Sequence, residues 1–407
     1  MEGGLVGATF ALGLDAAGIE AVLIEREVPR TRDTPGPGSA RGRAIAVAHG
    51  TRLLIEAQQD DRRPWWPAVE VLATPLLRVH VSERGWFGRT VLDAAALGVP
   101  ALGYVLRAGE MQGAVWERLR AAAAVEVVAP ARVRGVRVRQ RSAIVELDDG
   151  GETSTTLEAD LVVAADGAGS ALRGRVDRPD SVRSHRHRAL IAELVLSAPH
   201  RGSAYERFVD GGILALLPLP GRRMGLVATG SAALIDELLA IRPPVFRRRI
   251  EGWIEGRGGR IESVAARAAF PLYRVAAGRQ AFGRVALIGS AANQLHPVAG
   301  QGFNLGARDA GALLSLLRSA EPGADLGSAA RMRRFQALRR FDVRATGLFT
   351  DGLVCGFGLR AFPAGLARNL AMTALDLVAP ANRVFGLAAM GWRVGSPSAF
   401  LEGRQAP

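Results

Sequence analysis

GSAANQLHPVAGQGFNLGARDA, residues 289–310, decides how this chain of 407 residues reads. A strand over 284–292 runs into a loop carrying His296 and Pro297, and Gly300, Gln301 and Gly302 then open a helix over 303–320. Glycines let the backbone come within hydrogen-bonding reach of a flat ligand, and the helix N-terminus adds partial positive charge. A ring that becomes anionic along one edge, as reduced flavin does at N1–C2=O, suits that cradle. A glycine-rich turn before an ordinarily capped helix does not account for so long a combination.

Working outward, ADLVVAADGAGSALRGRV (159–176) is a buried strand running into a glycine-containing turn and helix. Asp166 beside Gly167 stands where open sheets bind ligands, or else caps the helix that follows. At the other end, LVGATFALGLDAAG (5–18) carries small and apolar residues at helical spacing and stops at Gly18, and IEAVLIERE (19–27) is a buried parallel strand closing on Glu25. Gly4 and Gly7 take the second and third places of a GxGxxG fingerprint, where backbone approaches a pyrophosphate and helix packs on strand. Glu25 stands where an acidic residue accepts from an adenosine ribose. Taken alone, this run fits a glycine-rich helix start equally well.

Between these segments the periodicity changes. Residues 69–107 alternate around a hairpin signal at Glu83-Arg84-Gly85, 110–124 form an amphipathic helix, and 125–151 supply short antiparallel strands. Residues 185–275 alternate like an open antiparallel sheet, and His185 and His187, flanked by arginines, read as exposed loop residues. From 331 onward the chain is helical and arginine-rich, with RNLAMTALDLVAP (368–380) ending at Pro380. The expected fold is α/β: an interrupted Rossmann-like domain over 1–68, 102–178 and 266–345, an antiparallel substrate domain over 69–101 and 179–265, and a helical C-terminal region over 346–407.

Composition removes several functions. Hydrophobic residues at 48% and charged residues at 22% are those of a globular enzyme. The single Cys355 leaves no disulfide scaffold, cysteine zinc site or iron–sulfur cluster. All 52 basic residues are arginine, so lysine Schiff bases and Walker A loops are excluded. The net charge of +13 suits an anionic surface, yet the arginines are scattered with no basic stripe among aromatics, which argues against nucleic acid. There is no run of eighteen apolar residues and no secretory signal at Met1-Glu2, so the expected location is cytoplasmic.

With these motifs in place, the chain resembles the FAD-dependent aromatic hydroxylases of ubiquinone biosynthesis, whose fold is the class A flavin monooxygenase, p-hydroxybenzoate hydroxylase-like type. GGLVGATFAL, GRAIAVAHG, LVVAADGAGSALR, AYERFVDGGILALLPLP, the 289–310 block and ALDLVAPANR carry the resemblance over nearly the whole chain, and HVSERGWFGRTVLDAAALGVPALGYV points to the members acting on a 2-polyprenyl-6-methoxyphenol. The resemblance implies that Gly4, Gly7, Glu25 and Arg26 bind the ADP half of FAD, that Arg43 lies beside the flavin, and that Arg107 also serves the cofactor. It implies that Asp166 and Gly167 serve both FAD and NAD(P)H, that Gly289 and Ser290 meet the ribityl and phosphate region, and that Pro297, Gly300, Gln301, Gly302 and Asn304 cradle the ring. Relatives usually carry Asp or Asn where Ser290 stands.

The implied reaction is ring hydroxylation of a polyprenylated phenol with NAD(P)H and O2 through a flavin hydroperoxide, with no catalytic metal. His296, Pro297 and Arg43 would stand nearest the chemistry, although a structural role for His296 fits as well. The implied partners are other ubiquinone-pathway proteins and an anionic membrane surface, to which the protein would be peripheral at the inner membrane. For that surface the sequence offers Leu348, Phe349, Leu353, Phe357, Leu359 and Phe362 with Arg360, Arg368, Arg383 and Arg393. Two alternatives stay open: a flavin hydroxylase of a soluble aromatic, and a flavin-poor scaffold. Glu2 holds the place of the first glycine and the strand before it is missing. That departure predicts an unpaired edge beside 21–25, weak FAD retention, and an upstream segment lost from this sequence.

Overall fold

The computed structural model describes residues 4–27, 42–148, 155–176, 182–296, 300–358 and 362–391. Its first helix, Leu5–Ala16, ends as the sequence predicts: Gly18 takes φ +66°, and Gly18 and Ile19 donate back to Asp15 and Leu14, closing the last turn. Ala21–Ile24 follows and pairs in parallel with Val125–Val128. A second parallel pair joins Val162–Ala164 to Val285–Leu287. Val22, Ile24, Val128 and Val162 share one apolar cluster, so the two pieces stand across from each other. Among the described residues no strand pairs with the remaining edge of Ala21–Ile24, and the edge expected beside 21–25 is unpaired.

The first helix packs on a later one, Gln301–Arg318, through Phe10, Leu14, Leu313, Leu314 and Leu317. Burying each such side chain contributes about 1.5–3 kcal/mol relative to leaving it in water. The strand expected over 284–292 stops at Leu287, and a tight turn, Gly289–Ala291, takes its place.

A separate nine-stranded sheet stands beside this layer. Val182–Leu196 pairs antiparallel with Arg223–Ser231 and Ala268–Ala276, so the sheet runs past the expected boundary at 266. Its far end comes from much earlier in the chain. Arg78–Glu83 joins Ser203–Val209 in parallel, and Arg89–Asp93 closes the hairpin as the edge strand. His185 and His187 therefore lie in a strand, correcting the loop reading; arginine-rich alternation hid the extended backbone, which is irregular between Ser184 and Arg188.

Three helices end the described chain: the long helix Ala329–Gly358, the outer helix Phe362–Leu377, and Ala379–Ala389. Pro380 opens the last of these where a helix end was expected, because a first-turn proline forfeits no helical hydrogen bond. Among the described residues no helix is long and apolar enough to cross a membrane.

Candidate active site

Three elements meet at Gly289. Its φ of +62° turns the chain out of the strand, and a Cβ there would lie 3.2 Å from Val6 of the first helix. A Cβ on Gly306 would come within 2.7 Å of the Val6 side chain and 2.9 Å of the Gly289 Cα, so the strand end and the later helix touch backbone to backbone while Val6 of the first helix fills the space both glycines leave. The Gly289 N–H donates to Asp309 Oδ2 at 3.1 Å, and Asp309 Oδ1 accepts from Arg339 Nε at 2.7 Å. Arg339 also pairs with Asp342, which holds Arg308. Asp309 is fully buried; desolvation pushes its carboxyl pKa up, and Arg339 acts against that push. Sequence reading missed this pair, whose members are thirty positions apart (339 − 309).

The helix Gln301–Arg318 is capped by Gly300 in the left-handed region, φ +60°. Asn304, nearly inaccessible, accepts from the Ala48 N–H at 2.9 Å and donates to the Ala46 and Gly300 carbonyls at 3.0 Å. It ties the helix to the strand Ala44–Ala48, which begins beside Arg43. Gln301 donates to the Ala389 carbonyl. The amides of Gln301 and Asn304 thus hold backbone around the helix start. Nothing lies within 4 Å of the Cβ position at Gly302, so this helix start borders open space. Arg43 is open to solvent yet surrounded closely enough that desolvation lowers its pKa.

Asp166 follows the strand Val162–Ala164 and accepts from the Ala171 N–H at 3.0 Å through Oδ2, the capping role weighed for it, while its buried Oδ1 has no hydrogen-bond partner among the described residues. Gly167 takes φ +78° with nothing near its Cβ position. Gly4 caps the first helix and is exposed, Gly7 is buried within it, and Glu25 ends the strand Ala21–Ile24 with exposed Arg26 next to it. Ser290 is exposed on the turn after Gly289.

Arg107 has a more committed place. Its guanidinium pairs with Glu193 at 2.7 Å and Glu110 at 2.8 Å, clamping the strand Gly103–Arg107 to the large sheet. Burial acts against its charge, and the two carboxylates more than offset that, so its pKa is raised. Any contact with a cofactor would share the guanidinium with these carboxylates. His296 is buried, with the His187 ring edge-on to it at 6.1 Å. Pro297 lies outside the described residues. Among the described residues no group of three or more His, Cys, Asp or Glu could hold a metal ion.

Residues 3–339, most of the chain, match the FAD binding domain family. The chain belongs to that family. Similar proteins include the ubiquinone hydroxylase UbiL of Rhodospirillum rubrum, 33% identical over 96% of this chain and 88% of that one. The 3-demethoxyubiquinol 3-hydroxylase of Escherichia coli is 29% identical over 90% and 89%. Among solved structures, p-nitrophenol 4-monooxygenase PnpA from Pseudomonas putida superposes with a TM-score of 0.71 at 20% identity, covering 96% of this chain and 97% of that one. Klebsiella pneumoniae HpxO, complexed with FAD and uric acid, gives 0.69 at 17%, with 95% of each chain covered. The fold is that of the class A FAD-dependent monooxygenases, and the protein is an FAD-dependent aromatic monooxygenase of the ubiquinone hydroxylase group, with FAD as cofactor.

The residues present suit FAD. Asp166 Oδ1 is a buried acceptor awaiting a donor, such as a cofactor hydroxyl. The open helix start at Gly302 and the Arg43 guanidinium both offer positive potential, which suits a cofactor that carries negative charge.

Proposed function

We propose that this monooxygenase hydroxylates the ring of a polyprenylated methoxyphenol in ubiquinone synthesis, working on the cytoplasmic side, peripheral to an anionic inner membrane and beside other proteins of the pathway. The names of relatives matched over nearly their full length support the substrate class. The observation that carries the chemistry is the open, glycine-capped helix start at Gly300–Gly302, tied by Asn304 to the strand beside Arg43.

In this reading Gly4, Gly7, Glu25 and Arg26 hold the ADP half, Asp166 and Gly167 accept from cofactor hydroxyls on the NAD(P)H side, and Gly289 and Ser290 meet the ribityl chain. When bound, FAD supplies the redox chemistry with NAD(P)H and O2. The chain positions the phenol, keeps water out and stabilises charge. The helix start and Arg43 favour negative charge on the ring, while His296, beside Pro297, orients the phenol hydroxyl. The antiparallel sheet would cover the substrate, with the parallel layer holding the cofactor.

The test is turnover of purified protein with a polyprenylated methoxyphenol and with a soluble phenol, following NAD(P)H loss, O2 uptake and hydroxylated product together. Coupled product from the prenylated phenol alone is expected. Equal or better coupling with the soluble phenol would point to a soluble substrate, and a purified protein that takes up no FAD would point to a scaffold.

A further inference from the structure

The outer helix Phe362–Leu377 is built inside out. Its polar side chains face the protein: buried Asn369 accepts from the Gly88 N–H at 2.9 Å and donates to Glu83 at 2.8 Å, Arg368 pairs with Glu83 at 2.6 Å, and Asp376 accepts from the Val91 N–H at 2.7 Å. Its exposed positions carry no polar residue at all. Phe362 is 70% exposed, Leu370 54% and Leu377 77%, with Leu366, Pro363 and alanines filling the rest of that face. A helix covering a water-soluble core shows the opposite arrangement.

The exposed charge described on the C-terminal helices is of one sign. On the long helix, Arg333, Arg334, Arg340 and Arg344 are exposed beside exposed Phe341 and Leu348, and Arg383 is exposed on the last helix. The carboxylates described on these three helices are turned inward or paired: Asp342 with Arg308 and Arg339, Asp351 with Arg274, and Asp376 on Val91. A second copy of the chain would bring arginine against arginine. A partner that is apolar below and anionic at its surface meets both features.

We infer that the outer helix is the element that enters the membrane, its apolar face at the boundary of headgroups and acyl chains, with exposed arginines of the C-terminal helices drawing the protein to anionic headgroups. This rests on the membrane placement proposed above and names the face responsible. Of the residues the sequence offered for this role, Arg368 turns inward to Glu83 and Phe349 packs on Phe385, whereas Leu348, Phe362 and Arg383 are exposed. Phe357 has no described side chain, and Leu359, Arg360 and Arg393 lie outside the described residues.

The test is flotation of the protein, loaded with FAD, on vesicles of equal parts phosphatidylglycerol and phosphatidylcholine. Leu370→Glu with Leu377→Glu places charges at already exposed positions, so FAD content and turnover of a short-chain soluble phenol should match the parent while vesicle binding falls at least about tenfold. Arg340→Gln with Arg344→Gln should weaken binding to anionic vesicles and leave the weaker binding to neutral ones unchanged. If the parent binds anionic vesicles and the glutamate variant binds equally, this face is wrong while the membrane placement stands. If the parent itself fails to bind, the membrane placement fails. A parent that forms a dimer which the glutamate variant breaks would assign the face to a second copy.

Discussion

Two helices of this molecule use the same inward device and differ in what they turn outward. On Gln301–Arg318, Asn304 bonds the carbonyl four residues back and holds a strand; on the outer helix, Asn369 bonds the Gly365 carbonyl four residues back and holds the hairpin backbone at Gly88. In the first helix, leucines fill the rest of the buried face against Phe10 and Leu14. In the second, leucines stand in water. Apolar content therefore does not say which way a helix faces. A buried polar group that satisfies a strand can set the orientation, and the apolar face is then left for whatever lies outside.

The comparison breaks most visibly at Asp309. Asp309→Ala removes the acceptor of the Gly289 N–H and leaves Arg339 buried with one partner fewer, and losing one side of a buried ion pair costs about 3–5 kcal/mol. Urea denaturation should show that loss together with reduced FAD content; unchanged stability would mean the pair does not hold the turn. Next comes the asparagine pair. Asn304→Ala and Asn369→Ala should each cost about 1–3 kcal/mol, the range for stranding a buried backbone group. FAD affinity by fluorescence quenching should fall for Asn304→Ala alone, and equal loss in both would erase the distinction between the helices.

Gly302→Val meets open space, so the protein should fold with nearly parental stability. A side chain beside the helix start should nonetheless abolish coupled hydroxylation by displacing the ring from charge stabilisation worth up to about 2 kcal/mol. Normal product formation would remove the cradle from the account.

The smallest effect concerns acid. The Arg284 hydrogen bond and charge hold the Asp325 carboxyl below its ordinary value of 3.8. A carboxylate whose pKa is depressed on folding adds stability that is present at neutral pH and is lost as pH falls through the unfolded and then the folded value. Melting temperature should drop below about pH 4, and Asp325→Asn should lower it at pH 7 while flattening that drop.

The turns around the candidate site were partly legible because glycines and helix caps are local signals. Gly18 and Gly300 take positive φ where a helix end and a helix start were read, whereas the positive φ of Gly289 falls inside what read as strand. The partners of those turns were not legible. Nothing nearby marks Arg339 among 52 arginines as the one that meets Asp309, and a helical reading of 368–380 does not say which way its leucines point. Pro380 and His187 were misread for a related reason: proline both follows and opens helices, and an arginine-flanked histidine reads as surface until a strand and His296 enclose it.

The edge strand Arg89–Asp93 also has a history in time. Val91 gives its N–H to Asp376 and its carbonyl to Asn382, residues 285 and 291 positions later. At ribosomal speeds of roughly 5–20 residues per second, that edge stays bare for about 15–60 s after Val91 is made. An open strand edge is a template for pairing with other chains. Truncations within the last two described helices should therefore reduce yield through aggregation during synthesis, before any question of catalysis arises.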